Sequence, residues 1–139
     1  MWVYTRLMSS RCYCVLLRDA ARKATAIYDD ALAPAGISIT QFRLLRVVER
    51  HGSVSLSELG RLTDLDRSTI GRNARLLERL DLVRLCPGSD QRESMVVLDE
   101  GGRRALATAV PLWDVAQERI EVSLGTDAEE RLLALLRAL

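Results

Sequence analysis

Arginine spacing carries the first chemical signal in this chain. Ser68, Arg72, Arg75 and Arg79 stand 4, 3 and 4 residues apart. At 100° per residue they share one side of a helix, and Ile70, Asn73, Ala74, Leu77 and Leu80 fall on the other, with Leu76 at the edge. Asp66 is positioned to cap the first turn. A helix with an apolar back and an arginine front suits a negatively charged, grooved surface, and DNA is the prime case. Arg67, Ser68, Thr69 and Arg72 lie in its first half, where a major-groove helix meets base edges. Bidentate pairing of arginine with guanine contributes about 1–3 kcal/mol of discrimination. Arg75 and Arg79 lie further along and are expected on phosphate, with plain surface charge as the alternative. Arg92 follows at the tip of a hairpin, where an arginine reads minor-groove shape and potential. Asp90 is placed to orient it.

Charge supports this only locally. The whole chain carries +1, so no global field recruits nucleic acid. Residues 61–84 hold six arginines against four acids. Nineteen of the 20 basic residues are arginine. Catalytic chemistry finds no support: there is one histidine, no G-x-S-x-G, no phosphate loop and no cluster of metal ligands. No enzyme activity, cofactor or metal is expected.

The elements that must position these residues follow in order. Apolar spacing predicts a helix from Cys12 to about Ala33, with Leu16, Ala20, Ala24, Ile27 and Ala31 on one face, ended by Pro34 and Gly36. Ser38-Ile39-Thr40-Gln41 is a capping box opening a helix to about Arg50. Its buried side is Phe42, Leu45 and Val48, or Leu44 and Val47. Ser55-Leu56-Ser57-Glu58 starts a short helix with Leu56, Leu59 and Leu62. A tight turn at 63–65 then leads into the arginine-faced helix, which makes a helix-turn-helix. Residues 82–86 and 94–98 are the strands of a hairpin around the polar turn 87–93. A long helix from Asp99 to about Leu124 buries Leu106, Val110, Trp113, Gln117, Ile120 and Leu124, and Pro111 should bend it. Thr126-Asp127-Ala128-Glu129 is a third capping box. The last helix, with Leu132, Leu133, Leu135, Leu136 and Leu139, is apolar over more than half its circumference and expects a partner surface.

No apolar run is long enough to span a membrane. Met1–Leu7 is too short for a signal peptide, and Met8 offers an alternative start. Three widely spread cysteines make no disulfide framework. The expectation is a cytoplasmic protein.

In this order and spacing the pieces resemble a MarR-type winged helix-turn-helix transcriptional regulator over about residues 12–139. The resemblance rests on Gly36-Ile37-Ser38-Ile39-Thr40-Gln41-Phe42-Arg43-Leu44-Leu45, Ser55-Leu56-Ser57-Glu58-Leu59, and Asp66-Arg67-Ser68-Thr69 with Arg72 and Leu76. Asp90-Gln91-Arg92, as D-x-R, and Val97-Leu98-Asp99-Glu100-Gly101-Gly102 complete it. Asp81 stands where the family commonly has glycine, and Asp99 where it often has threonine. The fold implied is mainly α with a small β-hairpin wing: a winged helix-turn-helix lobe over 36–100, and a discontinuous helical dimerisation region over 8–35 and 101–139. The function implied is a homodimeric regulator of transcription, commonly a repressor, on an inverted-repeat operator, with reading helices about 34 Å apart. The other class in play is a winged-helix protein-interaction module that has lost DNA binding. Such a module has no reason to keep Arg72 and Arg92 on one surface.

Two signals are open. Cys14 and Tyr28 occupy the relative places of the reactive cysteine and a supporting tyrosine in the organic-hydroperoxide-sensing repressors of the family. A second tyrosine expected four residues after the cysteine is Arg18 here, a cation that would itself favour thiolate. Cys12 and Cys14 diverge by about 200° on a helix and cannot bridge each other. An oxidised form would need a partner-chain cysteine, Cys86 or a small thiol. Their competing role is as small buried hydrophobes. The other signal implied by the family is a small aromatic ligand between the two regions, with Tyr28, Phe42, His51 and Trp113 contributing. His51 is otherwise a helix-terminal residue favourable to the dipole, and Trp113 otherwise packs the core or the dimer. Either signal would act by shifting the spacing of the two reading helices.

Overall fold

The computed structural model describes residues 12–90 and 92–139. Met1–Leu7, the start of the 8–35 segment and Gln91 of the D-x-R triplet lie outside them. Helices dominate: α1 (Tyr13–Leu32), α2 (Ile39–His51), α3 (Leu56–Thr63), α4 (Arg67–Arg79), α5 (Glu100–Leu124) and α6 (Ala128–Arg137). Three short strands, β1 (Ser53–Ser55), β2 (Val83–Pro87) and β3 (Ser94–Leu98), form an antiparallel sheet in the order β1-β3-β2. The mainly α chain with a small wing is therefore as expected. The hairpin, however, carries a third strand: Val54 pairs with Val96. A three-residue strand with a single buried side chain has no legible alternation, so it left no mark in the sequence pattern.

Local chemistry sets the helix starts. Ser38 Oγ accepts from the Gln41 N–H at 3.2 Å, and Gln41 Oε1 accepts from the Ser38 N–H at 2.9 Å, a complete capping box. Only half of the second box forms. Ser55 Oγ takes the Glu58 N–H, but the Glu58 carboxylate turns to Arg61. The third does not form. Asp127 sits at φ 64°, in the left-handed region, and no side chain caps α6. An N-cap must be extended to aim its oxygen at the first-turn N–H groups, and this backbone is not. Asp99 caps α5 instead, through its Oδ1 and the Glu100 N–H, and the helix continues through Pro111.

One core joins α1 to α5 and the sheet. Leu44, Leu45 and Val48 of α2, Leu59 of α3, Ile70 and Leu77 of α4, and Val83 and Val96 of the sheet pack with Leu32 of α1 and with Leu106 and Ala109 of α5. On α2 both expected sets contribute: Phe42, Leu44, Leu45 and Val48 are buried, with Val47 packed beside them. The α4 pattern holds at Ile70, Ala74 and Leu77 but fails at Leu80, which terminates the helix and is exposed. On α5 the buried stripe is Gly102, Leu106, Ala109 and Ala116. Trp113, Gln117 and Ile120 are half-buried, and Leu124 is exposed because α5 there has run past the core.

Candidate nucleic-acid interface

A tight turn presents α4. The Thr63 hydroxyl donates to the Leu59 carbonyl at 2.6 Å, Asp64 takes φ 54°, and the Leu65 N–H reaches back to Gly60 O at 3.0 Å. Gly60 suits the close approach: a Cβ there would lie 3.0 Å from the Leu65 carbonyl oxygen, a tighter contact than most side chains make. The chain thus reverses in three residues, and Ile70 anchors the back of α4 in the core.

Asp66 then organises the first turn of α4. Its Oδ1 accepts from the Thr69 N–H at 2.8 Å and from the Ser68 hydroxyl at 2.8 Å. Its Oδ2 accepts from the Thr69 hydroxyl at 3.0 Å. These donors, the Thr69 N–H foremost, hold the Asp66 carboxyl below its usual 3.8. Asn73, expected on the apolar side, is half-buried and donates its amide to the Thr69 carbonyl at 2.9 Å.

Arg72, Arg75 and Arg79 form one exposed strip with Leu76 between them. Arg67 lines a separate groove, bounded by α3, the start of α4 and the wing, with Arg92 on its other wall. The fold therefore brings Arg67 and Arg92 to one concavity although 25 residues separate them. Among the described residues none of these five arginines makes an ion pair. Arg61, by contrast, pairs with Glu58, Arg84 with Asp99 and Arg103 with Glu100. Asp90 accepts the Arg92 backbone N–H at 3.3 Å, so it shapes the turn and leaves the guanidinium outward.

The residues considered for signalling separate into two places. Cys12 and Cys14 are exposed at the start of α1, not buried in this chain. Cys14 and Tyr28 lie on the same helix 14 residues apart, about 21 Å at 1.5 Å per residue, so they cannot meet within one chain. Tyr28, Trp113 and Phe42 do come together. Trp113 stacks against Tyr28 at 6.4 Å and against Phe42 at 6.0 Å between centroids, joining α1, α5 and α2. The Tyr28 hydroxyl donates to Gln117, and burial followed by the Glu121 charge raises its ionisation above the usual 10.0. His51 is exposed, with Nδ1 donating to the Val47 carbonyl at 2.9 Å, and it finishes α2.

Two positioning groups escaped the sequence reading. Asp29 on α1 accepts the Ile39 N–H at 2.7 Å and so binds α1 to the start of α2. Glu78 on α4 accepts the Leu85 N–H at 3.0 Å, fixing α4 to the wing. Both are charged residues whose partner is backbone, for which side-chain spacing gives no signal. Gln117, expected among the buried face of α5, instead takes the Tyr28 hydroxyl as a half-buried polar partner.

A helix-turn-helix whose second helix carries unpaired arginines, flanked by a hairpin wing with another, defines a winged-helix DNA-binding protein. The family model described as MarR family matches residues 35–93. The chain is 34% identical over 126 residues to the HTH-type transcriptional repressor NicR of Pseudomonas putida, covering 88% of this chain and 78% of that protein. It is similar to the Mycobacterium tuberculosis regulator MosR in complex with DNA, at 37% identity and TM-score 0.81, over 91% of this chain and 93% of that one. The fold is also shared with Bordetella bronchiseptica BpsR, at 23% identity and TM-score 0.81, over 93% of both chains. The chain belongs to the MarR family of DNA-binding transcriptional regulators, which are not enzymes. Among the described residues, no helix is long and apolar enough to cross a membrane.

Proposed function

We propose that this regulator is a homodimeric repressor that binds an inverted-repeat operator and is released by a chemical signal. The carrying observation is the set of outward arginines, Arg67, Arg72, Arg75, Arg79 and Arg92, left without ion pairs on α4 and the wing. An exposed guanidinium that no carboxylate occupies is available to phosphate and to guanine. In this reading Arg67, Ser68, Thr69 and Arg72 face base edges, Arg75 and Arg79 meet phosphate, and Arg92, on a turn shaped by Asp90, enters the minor groove. The lobe over 36–100 binds DNA, and 8–35 with 101–139 pairs two chains. The name of NicR supports repression.

The signal acts at the ends of α1. One form is oxidation of Cys14, which is exposed and would need the partner chain to approach a Tyr28. The other is a small aromatic ligand that intercalates beside Trp113 and displaces Tyr28 or Phe42 from the stack. Each would move α1 and α5 against α2 and so change the separation of the two α4 helices.

The test is a gel shift on the DNA flanking the protein's own gene, with and without organic peroxide. A shift abolished by peroxide and retained by Cys14→Ser establishes the oxidant form. A shift indifferent to peroxide but released by aromatic acids establishes the ligand form. No shift at low salt would favour an interaction module instead.

A further inference from the structure

We propose that Asp66 is a positioning residue that sets base preference: it holds both neighbouring hydroxyl protons, so that Ser68 and Thr69 meet DNA with lone pairs only. This rests on the assignment of α4 as the reading helix. An ionised carboxylate only accepts, so its contacts at 2.8 and 3.0 Å fix the Ser68 and Thr69 hydroxyls as donors to Asp66. The Thr69 N–H occupies Oδ1 as well. The carboxyl is exposed and held in its ionised form by these same three donors.

The direction of those protons matters in a major groove. Each hydroxyl oxygen keeps lone pairs and has no second proton to offer. Its partners must be donors, and the groove supplies two, the N4 amino group of cytosine and the N6 amino group of adenine. Guanine O6 and N7 and thymine O4 are acceptors and would face lone pair against lone pair. Phosphate oxygens are acceptors too, so neither hydroxyl can anchor the backbone without leaving Asp66. The first turn of α4 therefore selects cytosine or adenine on the contacted strand, while the arginines along it favour guanine or phosphate. Mixed polarity of this kind gives the helix a direction along its half-site.

The experiment selects bound duplexes from a pool randomised over two half-sites, using the full-length protein, and sequences them. Every base pair carries one such amino group, so the contacted strand is fixed by analogues: at one restricted position per half-site, replacing cytosine by 2-pyrimidinone or adenine by purine on one strand should weaken wild-type binding. Ser68→Ala and Thr69→Val should each relax such a position by about two- to tenfold, the range for one hydrogen bond. Asp66→Asn keeps an oxygen for the Thr69 N–H and the Ser68 hydroxyl, which share Oδ1, but puts an amide donor where Oδ2 meets the Thr69 hydroxyl, which frees that one proton. It should lose the restriction at the position that Thr69→Val relaxes, with Ser68 and Thr69 intact. Asp66→Ser caps the helix with one oxygen and should relax the preference likewise. Thermal unfolding verifies that each variant is folded, and binding to mixed-sequence duplex at low salt should persist because every arginine remains.

A folded Asp66→Asn protein with wild-type preference overturns the inference. So does wild-type binding indifferent to removal of the amino group from either strand at the position that Ser68→Ala relaxes, or a uniform loss of affinity in Ser68→Ala with no change of preference, which is the mark of a phosphate contact. Preference confined to positions sensitive only to Arg72 would leave α4 as the reader and overturn the role of Asp66. Duplex binding insensitive to every α4 substitution would overturn the assignment of α4 itself.

Discussion

Asp81 joins α4 to the wing at φ 57°, a left-handed conformation that favours glycine. This is the position where the family commonly has glycine, and the backbone supplies the reason. Asp81→Gly should raise stability by about 0.5–1 kcal/mol, the strain of a non-glycine residue less the entropy that glycine adds to the unfolded chain. Urea titration checks it, and an unchanged or lower midpoint would argue that the Asp81 side chain has a role of its own. Asp66 gives a prediction in pH. Its folded carboxyl titrates below 3.8, so its contribution to stability is complete above that value and is lost as pH falls through the lower folded value. The deficit of Asp66→Ala, clear near neutral pH, should shrink in denaturant titrations carried well below 3.8. A deficit independent of pH would mean that the cap does not act through its charge. The capping role of Asp66 was legible from its place before the arginine-faced helix. Its hold on two hydroxyls was not, because that depends on rotamers that spacing does not specify.

Each element was legible where its period was long, and obscure where backbone packing set the fold. Helices α1 to α5 announced themselves by apolar recurrence and by caps. The glycines that open α5 did not declare their purpose. A Cβ on Gly102 would lie 2.1 Å from the Leu82 carbonyl oxygen and 2.6 Å from a Leu98 methyl, and one on Gly101 would lie 2.3 Å from the Asp81 carbonyl oxygen. The start of α5 thus rests directly on the backbone that leaves α4, and the Asp99 N–H bonds to Leu82 O at 3.0 Å. Alanine normally favours a helix interior, yet Gly102→Ala should cost about 1–3 kcal/mol here, since the clash is with backbone rather than with a flexible side chain. Calorimetric melting reads the sign directly. The same junction makes the wing a rigid neighbour of α4, together with the Glu78 contact to Leu85. Arg92 lies in the turn beyond this junction. Arg92→Ala should weaken binding to duplex DNA and lower the slope of log affinity against log salt by about 1, with stability unchanged. An unaltered slope would remove Arg92 from the phosphate-rich minor-groove wall.

At the scale of the molecule, the unexplained surface is apolar and lies at the chain's two ends. Tyr13, Val15, Leu16 and Leu17 on α1 are exposed, as are Val122 and Leu124 at the end of α5 and Leu132, Leu133, Leu135, Leu136 and Leu139 in and after α6. The sequence disclosed this excess, since α6 has more leucine than one face needs. It could not disclose that α6 buries none of its residues in its own chain. That fact separates assembly from folding. Leu132→Asp combined with Leu136→Asp removes two apolar groups one turn apart and disturbs no residue of the core. On the proposed homodimer, the melting of the chain's core should then change little, while sedimentation should report a dimer for the wild type and a monomer for the variant. Loss of the second reading helix removes the gain of bivalent binding, so affinity for a two-half-site duplex should fall by about a hundredfold or more, with the salt slope roughly halved. A variant that stays dimeric would locate the interface on α1 and the end of α5 alone. A monomer that keeps full affinity would mean that one α4 and one wing suffice, and that the spacing between two helices is not what a signal changes.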